Sequence, residues 1–369
     1  MRGTAYVKRA RPALLVVAAV TALLLAGCTP ATADQASPGS TTTTAPRPTG
    51  KSTPMPVRFP APACQALATP GEVSALVGGT ATPSAIEHLQ PGVGASDAPW
   101  DILNANGAVC GWGGLSTLIE NQGQSQVYLE MVPGLADTWA ALAAANKPSP
   151  GAYYDGGTSL GGQCDAQSLG CFTNVLVNGS WLTVQARGYG AHALTERGFH
   201  DFVQKVVTRY RALPAPSVVH PHSIRACDAP ELANAVATAF GTKASFAQRS
   251  SEFNLQFALK SSGRTTECYY VNANDEHVWQ TTVSVLDDVA PALFEHYRGA
   301  VDHPNGRPAD VSALPGTAVG VIEETADSVR VTIDVLVDGR WVEVTTYQQS
   351  DAADSVALVK KIVGSAWLG

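Results

Sequence analysis

The sequence predicts an α+β fold written twice: two similar domains, each a mainly antiparallel sheet packed with about three helices. Three observations predict it. Residues 174–184 (NVLVNGSWLTV) and 334–344 (DVLVDGRWVEV) agree at six of eleven positions, with Asn and Asp exchanged at two more. Each copy folds back at Asn178-Gly179 or Asp338-Gly339, dipeptides that tolerate the positive φ of a type I′ turn between two apolar, β-branched runs. The same order of helix, strands, helix, strands, helix surrounds both copies, and hairpins with few crossovers imply antiparallel sheets with helices against them. A spacing of about 160 residues is domain-sized rather than solenoidal. The expected organisation is a signal segment 1–27, a tether 28–60, a first domain 61–213, a spacer 214–223 and a second domain 224–369.

The chain opens with Arg2, Lys8, Arg9 and Arg11, followed by a run from Leu14 to Ala26 that is apolar except for Thr21 and ends in Leu25-Ala26-Gly27-Cys28. This is a signal peptide, too short to span a bilayer as a helix. Its last four residues resemble the bacterial lipobox, which implies that Cys28 is acylated and becomes the first mature residue. Two or more acyl chains give stable anchoring. The expected location is therefore the extracytoplasmic face of the cell membrane, held by lipid. Residues 29 to about 60 are dominated by Thr, Pro, Ser and Ala, and proline-rich chain extends about 3.1 Å per residue, so the tether gives reach.

Removing the signal takes away four of the 24 Lys and Arg and none of the 31 Asp and Glu, leaving a formal charge of −11. An acidic chain with no basic block argues against nucleic acid or anionic lipid head groups as partners. With Cys28 set aside, six cysteines remain, an even number suited to an oxidising compartment. Cys64 and Cys227 each begin a domain, and Cys110 and Cys268 each follow at a strand. The repeat thus selects Cys64–Cys110 and Cys227–Cys268, which leaves Cys164–Cys171. A zinc site is the rival reading, but no CxxC knuckle is present, and no metal or cofactor is expected.

In the first domain, Thr69-Pro70-Gly71-Glu72 supplies the N-cap, N1 proline and N3 glutamate of a capping box, with Val73, Leu76 and Val77 as the apolar face. Residues from about 80 to 108 are rich in Gly, Pro and Asn, with Trp100 as the one large aromatic; long loops are often functional, so this stretch is a candidate binding loop, to be tested by deleting 84–105, with plain disorder as the alternative. Cys110–Trp112 and Gln126–Val132 read as strands. Leu135, Trp139, Leu142 and Ala143 mark a helix that ends before Pro148. After the hairpin, Phe199, Phe202, Val203, Val206, Val207 and Tyr210 form the apolar face of a closing helix.

The second domain repeats this order. Asp228 with Glu231 is expected to cap a helix carrying Leu232, Val236 and Phe240; Cys268–Tyr270 and Val278–Leu286 are strands; Val289, Leu293 and Tyr297 mark a helix, with Asp287 or Asp288 as its N-cap. A last helix carries Val356, Val359, Ile362, Val363 and Trp367. Trp181 and Trp341 follow the two turns at the same step, which points to one shared packing role.

The lipobox, the Thr/Pro-rich tether, and Cys64 followed by a short capped helix with Glu72-Val73 and Gly78-Gly79, then a second Cys before an aromatic strand, resemble uncharacterised envelope lipoproteins of actinobacteria. Some of those are similar to the extracellular sensor domain of the kinase PknH or to PsbP-like lipoproteins. The resemblance implies location and fold, and carries no catalytic residues. The second domain departs from it, since Cys227 is followed by Asp-Ala-Pro.

Gly157-Thr158-Ser159-Leu160-Gly161 matches the GxSxG nucleophile elbow, which works by exposing a serine at a strained strand-to-helix turn. Here no apolar-periodic helix follows, the sheet is expected to be antiparallel, and residues 316–326 of the second domain have no serine; a Gly-rich loop stapled by Cys164–Cys171 is the simpler reading. His192 and His200 lie downstream. His220 and His222 could chelate a metal, yet no neighbouring ligands are evident, and solvated linker histidines explain them better. Glu323 and Glu324, like Asp287 and Asp288, are adjacent rather than facing carboxylates. The expectation is a non-catalytic binding or structural module of the cell envelope, anchored through Cys28, with an envelope protein or lipid-like ligand as partner; an extracytoplasmic serine hydrolase is the alternative.

Overall fold

A computed structural model describes residues 63–80, 82–84, 99–113, 126–165, 170–188, 194–219, 222, 224–248, 250–300, 306–324, 329–347 and 352–368. Cys28, the signal segment and the tether lie outside them. The architecture is α+β, with two antiparallel sheets.

In the first half a short turn α1 (Cys64–Leu67) leads into α2 (Pro70–Val77), whose capping box is formed: Thr69 accepts from the Glu72 amide while Glu72 reaches back to Thr69. There follow β1 (Pro83–Ser84), α3 (Trp100–Asn104), β2 (Ala108–Trp112), β3 (Gln126–Val132) and α4 (Ala136–Asn146). The chain closes the half with β4 (Thr158–Asp165), β5 (Gly170–Val177), β6 (Ser180–Arg187) and α5 (Glu196–Ala212). The strand order is β1-β2-β3-β6-β5-β4. Asn178 and Gly179 both have positive φ, as a type I′ turn requires, and the residues around them pair from Val177↔Ser180 outward.

The second half holds α6 (Pro230–Phe240), β7 (Ala244–Phe246), α7 (Leu255–Ser261), β8 (Thr266–Asn272), β9 (Asp275–Leu286), α8 (Pro291–Ala300), β10 (Gly306–Pro308), β11 (Thr317–Glu324), β12 (Val329–Val337), β13 (Arg340–Tyr347) and α9 (Ala352–Val363). Its order, β10-β11-β12-β13-β9-β8-β7, matches the first sheet strand for strand with β10 added at one edge. Asp338 and Gly339 turn as Asn178 and Gly179 do.

Period-two alternation sends Val127, Leu129, Met131, Leu182 and Val184 to the face that packs on α2 and α5, with Phe199, Phe202, Val203 and Val206 opposite them. Val283, Val285, Ile333, Val335, Val342 and Val344 do the same against Leu232, Val236, Leu358 and Ile362. The chain is not strongly apolar, yet both sheets are also covered on their second face, by Trp139 and Trp181 in one and Phe294, Tyr297 and Trp341 in the other.

Disulfides join Cys64 to Cys110, Cys227 to Cys268 and Cys164 to Cys171, the pairs selected by the repeat. The first two tie the entry of each half to its sheet across loops that contribute roughly 4 kcal/mol each in the chain-entropy model. The third is a cross-strand pair, Cys164 facing Cys171 on β4 and β5, so the Gly-rich stretch expected to be a loop is a β-strand.

Other local expectations are corrected. The N-cap of α6 is Ala229, with no side-chain bond, and Pro230 rather than Asp228 sets the helix start by fixing φ at its first turn. α8 begins at Pro291, so neither Asp287 nor Asp288 caps it: Asp287 accepts from Arg225 at 2.6 Å through each oxygen, and Asp288 lies 3.3 Å from His222. The stretch read as a spacer is bonded at several points, with Ser217 accepting from Asn106 and the His222 amide donating to Gly263. His222 is thus a half-buried group held through its backbone rather than a solvated one, while His220 lies outside the described residues. Glu323 and Glu324 pair separately with Arg330 and Arg307.

Candidate functional site

The candidate binding loop was placed by sequence around Trp100. Residues 85–98 lie outside the described ones, and the remainder is not free for a ligand. Trp100 is 3% exposed and sits on the second half: its ring lies 5.4 Å from Tyr297, 5.7 Å from His296 and 6.4 Å from Trp341, centroid to centroid. A stretch rich in Gly, Pro and Asn gives no hint of this from its own pattern, because the surface that Trp100 matches belongs to residues some 200 positions away.

The second half returns the contact. Phe253, just ahead of α7, packs 4.8 Å from Trp181 and 4.9 Å from Trp139 of the first half. Behind it Leu255, Ala258 and Leu259 enter the same cluster as Ile102 of α3. The backbone polar groups are exchanged at matching positions. The Asn104 side chain donates to the Asp287 carbonyl, and Arg264 donates to the carbonyls of Pro133 and Gly134. Pro133 and Asp287 are equivalent, since each precedes a residue of positive φ, Gly134 or Asp288, and then an amide that bonds to the hairpin glycine: Leu135 to Gly179, Val289 to Gly339. Asn106 and Gly263, also at positive φ, end α3 and α7 alike.

Each Trp is held at its polar end by the same partner position. Trp181 donates to Asn174 at 3.1 Å and Trp341 to Asp334 at 2.7 Å, so the Asn/Asp exchange noted in sequence keeps the acceptor. Thr183 joins Asn174, and Tyr297 joins Asp334. The shared role expected for the two Trp residues is this one, as platforms on which the other half sits.

Beside the first platform, Glu130 is buried on β3, and burial pushes its carboxyl up to about 7, partly offset by the Tyr128 hydroxyl that donates to it at 2.7 Å. Sequence reading passed over Glu130 because its strand alternates normally; only the covering of both sheet faces buries it. Arg264, buried against backbone carbonyls, is pulled down to about 10 by desolvation. Phe253 and α7 were also missed, although Asn254, whose side chain accepts from the Phe257 amide, is an N-cap signal ahead of Leu255 and Leu259.

Ser159 lies within β4, its hydroxyl 3.1 Å from that of Thr173, and not at a strand-to-helix turn. His200 stacks on Tyr154 and bonds to the Tyr153 carbonyl at 2.7 Å, which commits its ring to α5 and the preceding loop. His192 lies outside the described residues. Among the described residues, no group of three or more His, Cys, Asp or Glu is placed to hold a metal ion, and no helix is long and apolar enough to cross a membrane.

Among the described residues, two open grooves lie on helical faces. A groove of about 440 Å³ runs between α2 and α5, where Glu72, Leu76, Phe202 and Lys205 meet. A smaller one, about 230 Å³, occupies the same place between α6 and α9, with Glu231, Leu232, Lys361 and Ile362. In the first, Glu72 is gripped by Arg209 at 2.6 and 2.7 Å, which brings its carboxyl down to about 2. Both grooves set an acid of α2 or α6 near a lysine of α5 or α9, over an apolar floor that includes Leu76 and Phe202 in one and Leu232 and Ile362 in the other. Neither family models, curated proteins nor solved structures give a match to the chain.

Proposed function

We propose that the chain is an extracytoplasmic lipoprotein, anchored through Cys28, that serves the cell envelope as a non-catalytic binding or structural module. The observation that carries this reading is the set of three disulfides in a chain headed by a lipobox-like segment, since such bridges belong to oxidising compartments. Further support comes from the use made of its polar side chains. Ser159 and His200, the pair a hydrolase would need, have separate structural partners, and Trp100, Phe253, Trp139, Trp181 and Trp341 are packed where the two halves meet. The α2–α5 and α6–α9 grooves are the surfaces offered to an envelope partner.

The test is fractionation of cells expressing the full chain, with metabolic labelling by a fatty-acid probe. The wild type should label and sediment with membranes, and Cys28→Ala should do neither. Purified protein should leave simple esters intact. Ester hydrolysis lost on Ser159→Ala would replace this reading with that of a serine hydrolase.

A further inference from the structure

We infer that the Trp platform of each half is a recognition site in its own right, whose ligand is an aromatic-led helical turn presented by a second copy of the same fold, and that the tandem chain is such a pair closed by a linker. The reciprocity argues for it. Trp100 with α3 lies on the Trp341 platform, and Phe253 with α7 lies on the Trp181 platform. The carbonyls of Pro133 and Asp287, ahead of α4 and α8, each accept from a side chain of the other half: Arg264, just beyond α7, and Asn104, the last residue of α3. A surface whose element i meets j while j meets i is the signature of a twofold, isologous interface, the commonest way for two like subunits to join. No disulfide crosses between the halves, so the pair is held by these contacts and by the chain at 213–225. Trp100 is buried in the contact and Phe253 partly so, and a few such aromatic side chains carry most of the binding free energy of an interface.

The inference is independent of the proposed envelope role and is tested on the intact chain. A specific protease site is introduced at 219–221, the protein is folded with its disulfides formed, and the linker is then cut. The two fragments should elute together at 1:1 on size exclusion at low micromolar concentration. Phe253→Ala or Trp100→Ala should weaken their association by about 30-fold or more, the loss typical of an anchor residue, and Phe253→Leu by less. Fragments of the unmutated protein that separate at tens of micromolar overturn the inference, and this arm does not depend on any variant folding. Association unchanged in both alanine variants overturns it as well.

Discussion

Glu130→Gln isolates one buried carboxyl and turns it into a measurable pH dependence. The wild-type side chain holds its proton up to about pH 7 in the native state, against an ordinary value of 4.5, because burial on β3 outweighs the hydrogen bond it accepts from Tyr128. The native state therefore keeps a proton that the unfolded chain releases as pH rises from 4.5 to 7. Stability falls over that window and is level above it, the reverse of a salt-bridged carboxylate. A difference of about 2.5 units at about 1.36 kcal/mol each is roughly 3 kcal/mol. Glutamine keeps the shape and still accepts from Tyr128, but does not ionise. Urea unfolding at steps from pH 4 to pH 8 should show the two proteins within about 1 kcal/mol at pH 4 and the Gln variant ahead by about 3 kcal/mol at pH 8. A difference that is constant with pH would refute the reasoning, as would a variant that falls behind as pH rises.

Glu72 has the opposite sign: Arg209 holds it at about 2, so its contribution is present above 4.5 and lost as pH falls toward 2, and Glu72→Gln should flatten the acid limb of a circular-dichroism pH titration. Asp287→Asn leaves Arg225, 13% exposed, without its carboxylate and should cost about 3–5 kcal/mol by urea unfolding at pH 7. Gly107→Ala places a methyl 2.2 Å from the Met131 carbonyl oxygen and 2.8 Å from that of Ile102, and should cost about 1–3 kcal/mol in thermal unfolding, since backbone on both sides must move.

The repeat made most of the fold legible. Two Asn/Asp-Gly turns, a capping box and the apolar periods of α2, α4, α5, α6 and α9 are local signals, and local chemistry decided them. The disulfide pairs followed because duplicated cysteines must do duplicated work. What could not be read was anything set by one half acting on the other. Trp100 looked like a ligand-seeking aromatic in a loop, and Asp287 like a cap, because each is explained by a partner far along the chain: Trp341 for one, Arg225 for the other. The counterpart of Trp100, Phe253, hides in sequence because the two halves fill the same task from different positions: Trp100 opens α3 while Phe253 precedes α7, and Asn104 ends α3 while Arg264 lies beyond α7. For the same reason Trp100, the aromatic of the candidate loop, lies in an internal contact, while the open grooves are made where helices far apart in sequence meet.

The interlock of the two halves is the centre of this account, and calorimetric unfolding of the full chain measures it most directly. Trp100→Ala removes a buried indole worth about 3–5 kcal/mol. With an unfolding entropy near 2.1 cal/mol/K per residue over roughly 300 residues, that is a fall in Tm of about 5–8 °C. The prediction is one transition for the wild type, with calorimetric and van't Hoff enthalpies in agreement, and one transition displaced by that amount in the variant. Two transitions in the wild type, with Trp100→Ala moving only one of them, would contradict it.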